Sequence, residues 1–347
     1  MKLFKYFVSG LLFLLIVEAG IFLYIDRIYL NSNGTYSSEK ISDDGSKKKE
    51  NVKIDTNDAE NLQCSYDGFY ISYIKNGRLI IVSMSSGKSS KIYAEDGGEI
   101  LNYKWIYDRN RIVIAEKAED DSDKPCLKLY FYDTADKVKT QVENALDDRV
   151  VSVPLSSPRV TVSDIDMSTL TNLTYFKLTD EDGKSVIYRM NVNSDIKKLS
   201  TKSSVGKIMT LKSDDELFYE DSKNDNVIRL GGRTLRINGD KKLRILGVDS
   251  DDNAYFASCE NGETKLIYFG SVQKADWKKI SLMENVNIND ITIGADGGVY
   301  YVDKGNQTMK NLLSGTETGF KGRFIGIYSG GFLTQFNGKV TDNVFSG

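Results

Sequence analysis

The chain has 347 residues, with 46 lysines and arginines against 49 aspartates and glutamates, which gives a formal net charge of −3. This balance lacks the basic excess that nucleic-acid-binding domains use. The sequence contains no histidine, which excludes Ser-His-Asp and Cys-His catalysis and any histidine-ligated metal site. The three cysteines, Cys64, Cys126 and Cys259, match no zinc or redox spacing, so we expect buried, unreactive thiols.

Residues 6–25 form a nearly continuous apolar segment whose one ionisable side chain is Glu18. A helix of this length reaches ~30 Å, the thickness of the hydrocarbon core of a bilayer. Lys2 and Lys5 precede it, whereas Arg27 is offset by Asp26, and positive charge favours the cytoplasmic side. The sequence therefore predicts a single-pass protein of the cell membrane, with residues 1–5 in the cytoplasm, an anchor at 6–25 and the rest extracytoplasmic.

A cleaved signal peptide is the alternative, because Val17-Glu18-Ala19 fits a small-residue cleavage pattern. The apolar segment continues to Ile25, where a mature N-terminus should be polar, and this favours the uncleaved anchor. A charge at the centre of a membrane helix costs ~2.5 kcal/mol or more. Glu18 either contacts a polar group on a partner membrane helix or is tolerated near the headgroups.

Residues 26–53 are predicted to be a flexible linker between the anchor and a domain at 54–347. From Asn31 onward this segment is nearly devoid of apolar residues, so it cannot bury enough surface to offset its ordering entropy. As a coil it would hold the domain ~25–30 Å from the membrane on average.

A repeated pattern fills the rest of the chain: an apolar strand, a tight turn of Asp, Gly or Asn, and a second strand, often with paired aromatic residues. Asn-Gly and Ser-Gly turns then join alternating third strands, which is a hairpin signal. The second-strand positions are spaced by 43, 63, 43, 37, 45 and 32 residues, an interval typical of propeller blades. These positions are Tyr70, Val113, Phe176, Tyr219, Phe256, Tyr301 and Leu333.

The one long step is explained by an insertion near residues 139–158, which contains the only helix candidate beyond the anchor, residues 141–150. The last repeat is too short for four strands. Residues 52–64 are placed to complete it and so to close the ring, which would protect exposed strand edges.

These repeats resemble those of β-propeller domains of extracytoplasmic bacterial proteins, without the signature of a specific family. The repeats predict an all-β propeller of seven four-stranded blades, with six or eight as alternatives, and the apolar segment at residues 6–25 predicts one transmembrane helix before it. The resemblance implies a ring-shaped interaction surface. Propellers serve enzymes and binding proteins alike, so the fold alone does not decide the function.

The best candidate for a metal site is a calcium loop formed by Asp249, Asp251, Asn253 and Glu260, which match oxygen-ligand positions one, three, five and twelve. Position six is Ala254 instead of the glycine that such a loop requires, and the following residues are strand-like. An acidic hairpin turn is the favoured interpretation. We expect no cofactor.

The leading functional hypothesis is a non-enzymatic, membrane-anchored propeller that acts as a scaffold for an envelope protein or polysaccharide. No catalytic motif is recognisable in the sequence. The alternatives are a glycan-active enzyme that uses paired carboxylates in the central funnel, and a calcium-stabilised ligand sensor.

Overall fold

The computed structural model describes residues 52–56, 58–201 and 204–345 and six residues nearer the N-terminus. The chain divides into two compact units, residues 1–48 and 49–347. Most of the predicted anchor and the linker as far as residue 51 lie outside the described residues. The described residues of the first unit have helical backbone, and they are Tyr6, Leu14, Leu15, Val17, Glu18 and Phe22.

Among the described residues, the structure contains no helix with the length and apolar character needed to cross a bilayer.

The second unit is an all-β propeller of seven antiparallel blades, which confirms the predicted fold and the favoured blade number. Blade 1 contains β1 (Glu60–Cys64), β2 (Tyr70–Lys75), β3 (Arg78–Ser83) and β4 (Ser89–Ile92), and blade 2 contains β5 (Glu99–Trp105), β6 (Arg111–Glu119), β7 (Pro125–Asp133), β8 (Val138–Gln141) and β9 (Ser152–Pro154). Blade 3 contains β10 (Thr161–Ser168), β11 (Leu173–Thr179), β12 (Ser185–Met190) and β13 (Ile196–Lys198). Blade 4 contains β14 (Val205–Thr210), β15 (Leu217–Asp221), β16 (Asn226–Arg229) and β17 (Arg233–Thr234).

Blade 5 contains β18 (Leu243–Val248), β19 (Asn253–Glu260), β20 (Glu263–Ser271) and β21 (Lys278–Asn287). Blade 6 contains β22 (Ile291–Ile293), β23 (Val299–Asp303), β24 (Thr308–Asn311) and β25 (Glu317–Gly319). Blade 7 contains β26 (Arg323–Tyr328), β27 (Gly331–Phe336) and β28 (Lys339–Val344). Short 3-10 turns lie at Glu95–Gly97 and Ile288–Asp290. All seven second-strand positions predicted from the repeat lie in the second strand of their blade.

Residues 52–54 close the ring by joining the outer edge of blade 7. Lys53 forms an antiparallel bridge with Lys339, and the flanking hydrogen bonds run from Ile54 N to Gly338 O (2.7 Å) and from Val340 N to Val52 O (2.8 Å). The predicted closure by the start of the domain is confirmed. Among the described residues only these three pair with blade 7 through the backbone, however, because Glu60–Cys64 is the inner strand of blade 1.

The core consists of seven hydrophobic clusters in the described part of the chain, one between each pair of neighbouring blades. Successive residues of a strand point to opposite faces of the sheet, so each aromatic pair contributes to two interfaces. Phe256 packs toward blade 4 whereas Tyr255 packs toward blade 6, and Phe176 and Tyr175 divide in the same way between blades 2 and 4. The paired aromatics are therefore core residues of the blades.

The insertion in blade 2 forms an additional strand and not a helix. β9 pairs with β7, which makes this sheet five-stranded. The helix candidate at residues 141–150 is wrong: Glu143 and Val150 form a β-bridge around a turn, and Asn144 N donates to Arg149 O (2.8 Å). Val142 and Val151 both insert into the cluster between blades 2 and 3. This tertiary burial outweighs a weak local helix preference.

Asn-Gly turns join the second and third strands of blades 1, 5 and 7, as the hairpin signal predicts. In each of them both residues have positive φ, for example Asn76 at 53° and Gly77 at 69°. This backbone is that of a type I′ turn, whose twist matches the twist of the two strands that it joins.

Candidate functional site

The first strands of neighbouring blades contact one another around the centre of the propeller. Each is the edge strand of its sheet, so the backbone groups on its free edge need hydrogen-bond partners. Carboxylates of blade 3 supply several. Asp164 Oδ2 accepts a hydrogen bond from Ile208 N (3.1 Å) and Asp166 Oδ2 accepts one from Thr210 N (2.7 Å), both in β14 of blade 4. The two carboxylates therefore hold adjacent blades in register.

A cavity of about 230 Å³ lies at the C-terminal ends of the first strands, beside the turns that lead to the second strands. This volume is below the ~300–1,000 Å³ of typical small-molecule pockets, so it suits one functional group or ring of a larger ligand. Blades 1, 2, 4, 5, 6 and 7 line it, with Gln63, Cys64, Ser65, Tyr66, Lys104, Trp105, Ile106, Tyr107, Lys212, Val248, Ile293, Ala295, Ile327, Tyr328 and Ser329.

Tyr107 is the central feature of this cavity, because two lysines approach its ring. Its centroid lies 5.7 Å from Lys104 Nζ and 5.1 Å from Lys212 Nζ, within the range of cation–π attraction. The Tyr107 hydroxyl donates a hydrogen bond to Asp166 Oδ1. The hydrogen bond thereby fixes a ring that ammonium groups from blades 2 and 4 both approach.

Lys212 is held in place by both neighbouring blades. Its amide donates to Asp252 Oδ1 (2.5 Å) in blade 5, and its carbonyl accepts from Ser168 Oγ (2.9 Å) and Leu170 N (3.0 Å) in blade 3. No described residue accepts a hydrogen bond from Nζ or forms an ion pair with it. The backbone of Lys212 is thus fixed, and its ammonium group is available to a ligand.

Burial lowers the pKa of Lys212, while the nearby charges of Asp249 and Asp252 oppose this shift. Burial is also the main cause that raises the pKa of Asp166, and Lys104, whose Nζ lies 4.0 Å from Asp166 Oδ1, counteracts it. The pKa of the Tyr107 hydroxyl is raised by burial and then by the Asp166 carboxylate. Tyr107 therefore stays a neutral hydrogen-bond donor, which leaves the positive charge of the cavity to the two lysines.

The structure does not bring the four residues of the predicted calcium loop together. Asp249 and Asp251 lie in the turn before β19, Asn253 begins that strand and Glu260 ends it. An eight-residue strand is ~23 Å long, so Glu260 is at the opposite end of the blade.

The Asp249 carboxylate is engaged by its own turn. Asp249 Oδ1 accepts from Asp251 N and Asn253 N (both 2.9 Å), and Oδ2 accepts from Tyr255 OH (2.9 Å). In the described part of the chain, no group of three or more Cys, Asp or Glu side chains is arranged to hold a metal ion.

The other residues singled out in the sequence are dispersed. Glu18 has an exposed side chain on helical backbone in the first unit. Cys126 is buried, and Cys64 and Cys259 are half-buried. Burial raises the thiol pKa of Cys126 and Cys259, which is consistent with low reactivity.

The sequence analysis did not single out Lys104, Tyr107 or Lys212. Each lies at the end of a first strand or in the turn that follows it, and this position is the one signal that could have drawn attention to them. Lysine and tyrosine are common at exposed turns, so residue type alone does not show that these three converge. Their proximity follows from ring closure.

Comparisons with known proteins agree with the fold. No protein-family model matches the chain, and neither does any curated protein. A prolyl endopeptidase structure is similar with a TM-score of 0.51 at 12% identity, and the match covers 77% of this chain and 42% of that one. At this identity the likeness shows the propeller fold alone.

Two further structures have lower scores. Kluyveromyces lactis Hsv2p has a TM-score of 0.49 at 12% identity, with 79% of this chain and 88% of that chain covered. The β-propeller domain of Myceliophteria thermophila Cps50 (Swd1) has a TM-score of 0.49 at 11% identity, with 84% and 98% covered.

Proposed function

We propose that this chain is a membrane-tethered, extracytoplasmic propeller that binds a protein or polymer of the cell envelope by receiving an anionic group of that partner in the central cavity. The observation that supports it is the pair of ammonium groups at 5.7 and 5.1 Å from the centroid of the Tyr107 ring. One of them, Lys212 Nζ, has no hydrogen-bond or ion-pair partner among the described residues. A carboxylate or phosphate placed there would gain charge-assisted hydrogen bonds, which are the stronger class.

The cavity fits binding better than glycoside hydrolysis. Hydrolysis requires two carboxylates that flank the scissile bond. The described residues that line the cavity instead supply two lysines, four aromatic rings and two serines. Asp166, whose carboxylate accepts a hydrogen bond from the Tyr107 hydroxyl, is buried and also accepts one from Thr210 N. The hypothesis of a glycan-active enzyme stays a prediction that this geometry does not favour.

The binding proposal is tested by titrating the purified full chain with D-glucuronate and, in parallel, with neutral glucose, using calorimetry. The chain should bind glucuronate and not glucose. Because a hydrogen bond to a charged group contributes about 1.5–3 kcal/mol, Lys212→Met should weaken binding by about tenfold or more. Lys274→Met, an exposed lysine in blade 5, is the matched control and should bind as the unaltered chain does. Equal affinity of all three proteins would contradict the proposal.

The pH dependence provides a second test. Since burial lowers the pKa of Lys212, its ammonium group loses its proton at a lower pH than an ordinary lysine with a pKa of 10.5. Glucuronate affinity should therefore decline as the pH rises toward that value, and the Lys212→Met variant should lack this decline. A flat profile in the unaltered chain would count against Lys212 as the anion-binding group.

The membrane part of the proposal rests on the apolar segment at residues 6–25 and the lysines before it. The full chain should remain in the membrane fraction after alkaline carbonate extraction, and a chain without residues 1–30 should be released. Protease added outside intact cells stripped of their wall should digest the propeller. N-terminal sequencing that finds residues 6–25 removed would show that this segment is a cleaved signal peptide and not an anchor.

A further inference from the structure

A second cavity system lies on the outside of the propeller, at the junction where residues 52–54 close the ring against blade 1. Two adjoining cavities of about 420 and 710 Å³ share Lys53, Ile54 and Asp55 in their walls. We call them together the closure groove. The closing segment forms a single β-bridge with blade 7, so it covers only part of the facing side of blade 1.

One face of blade 1 forms the other wall of the closure groove. Tyr73, Ile80 and Lys91 lie side by side on this face, because the register pairs Tyr73 with Ile80 and Ile80 with Lys91 across β2, β3 and β4. The same alternation places Val82 beside Ser89. The floor is thus apolar and the rim is polar.

The charge of the closure groove is opposite to that of the whole chain. Its wall carries four cationic side chains and one carboxylate, on a protein whose formal net charge is −3. The carboxylate, Asp55, accepts from Lys75 Nζ at 2.7 Å. No described carboxylate pairs with Lys53, Arg78 or Lys91.

Arg78 is positioned by an aromatic ring. Its guanidinium carbon lies 4.9 Å from the centroid of Tyr93, whose side chain is 54% exposed. Stacking leaves the edge of a guanidinium group free to donate to an acceptor in the groove, and this group matches carboxylates bidentately. Lys53 and Lys91 are exposed on either side of the apolar floor.

We propose that the closure groove is a docking site for an extended acidic peptide segment of a partner protein, separate from the central cavity. The cations would hold carboxylates, and Ile80, the partly exposed apolar residue of the floor, would receive an apolar side chain between them. A chain that alternates acidic and apolar residues presents this pattern in extended form, with a period of two. A lipid surface is flat and cannot follow a concave floor, and a sugar phosphate polymer has no aliphatic side chains to fill it.

The test uses the full chain and a fluorescein-labelled peptide of alternating Glu and Val, with a peptide of alternating Lys and Val as the counter-probe. Fluorescence anisotropy should show binding of the acidic peptide only, weakening as salt is added. The double variant Arg78→Glu, Lys91→Glu should bind it about tenfold more weakly or worse, since two favourable contacts become repulsive. Both side chains are exposed, so the fold should be preserved, as circular dichroism will verify.

The matched control lies on blade 5, where a cavity of about 500 Å³ carries lysines and carboxylates together. Lys242→Glu with Lys265→Glu makes the same change in charge there and should leave peptide affinity unaltered.

Three results would overturn the proposal: no peptide binding by the unaltered chain, equal binding by the Arg78→Glu, Lys91→Glu variant, or displacement of the peptide by phosphatidylglycerol vesicles that bind this groove more tightly. The last result would identify the groove as a lipid site.

Discussion

Lys53 forms a β-bridge with Lys339, so that the beginning and the end of the propeller share one blade. The bridge is the only ladder contact of the closing segment within the described residues. Its neighbours Val52 and Ile54 are buried in the cluster between blades 7 and 1. Closure thus combines this backbone pairing with the burial of two apolar side chains.

Ile54→Asp should open the ring. A carboxylate without a partner in the cluster between blades 7 and 1 should lower the free energy of unfolding by about 3 kcal/mol or more. Lys53→Gln, a change to the exposed neighbour, should stay within about 0.5 kcal/mol. Urea denaturation followed by far-UV circular dichroism measures both. Equal midpoints for the two variants would show that residues 52–54 do not close the ring.

Phe256→Ala tests the division of aromatic pairs between interfaces. The Phe256 ring is fully buried and packs edge-on against Phe218 and Trp277, each with a centroid distance of 5.8 Å. Its truncation leaves a cavity between blades 4 and 5 and should lower the free energy of unfolding by about 3–5 kcal/mol. Phe336→Ala removes a ring that is 50% exposed and should have an effect below about 1 kcal/mol. A small loss at Phe256 would contradict the packing described.

Two glycines that differ in backbone conformation form a matched pair. A methyl group would meet no atom within 4 Å at Gly77 or at Gly319, but only Gly77 has a positive φ, +69°. Gly77→Ala should therefore destabilise the protein by about 1 kcal/mol, whereas Gly319→Ala should be neutral or slightly stabilising. Thermal melting monitored by circular dichroism distinguishes them. Similar melting temperatures for both variants would argue against a left-handed conformation at Gly77.

Tyr175 should make stability fall at alkaline pH. Burial raises its pKa to about 12 from 10.0, so the unfolded chain releases this proton more readily than the folded one. The stabilisation is complete below pH 10 and is lost as the pH rises toward 12, by about 3 kcal/mol in total.

Tyr175→Phe removes this dependence together with the hydrogen bond to Asp215 O (2.8 Å), which is worth about 1 kcal/mol. The variant should therefore be less stable than the unaltered chain at pH 8, and the difference should shrink or reverse by pH 12. Urea denaturation at a series of pH values provides the comparison. Parallel curves for the two proteins would show that Tyr175 ionises normally in the folded state.

Local sequence patterns were sufficient for the repeating strands. Tyr301 and Phe256 could be assigned to second strands because the turn before them and the alternation within them are encoded by adjacent residues. The insertion in blade 2 was located correctly but given the wrong structure. The structure of the insertion depends on whether Val142 and Val151 can be buried against blade 3. The residues of blade 3 that bury them are not adjacent to them in the chain, so local patterns do not show this burial.

The sequence by itself determined the all-β class, the number of repeats and the closure of the ring, because strand periodicity and turn chemistry act between residues close together in the chain. Only the tertiary structure decided which side chains converge at the centre and at the closure groove. Lys104 and Lys212 belong to different blades and approach one ring only when the sheets are arranged around an axis. Coulombic and cation–π interactions depend on separation in space, and no pattern along the chain specifies that separation before the ring is complete.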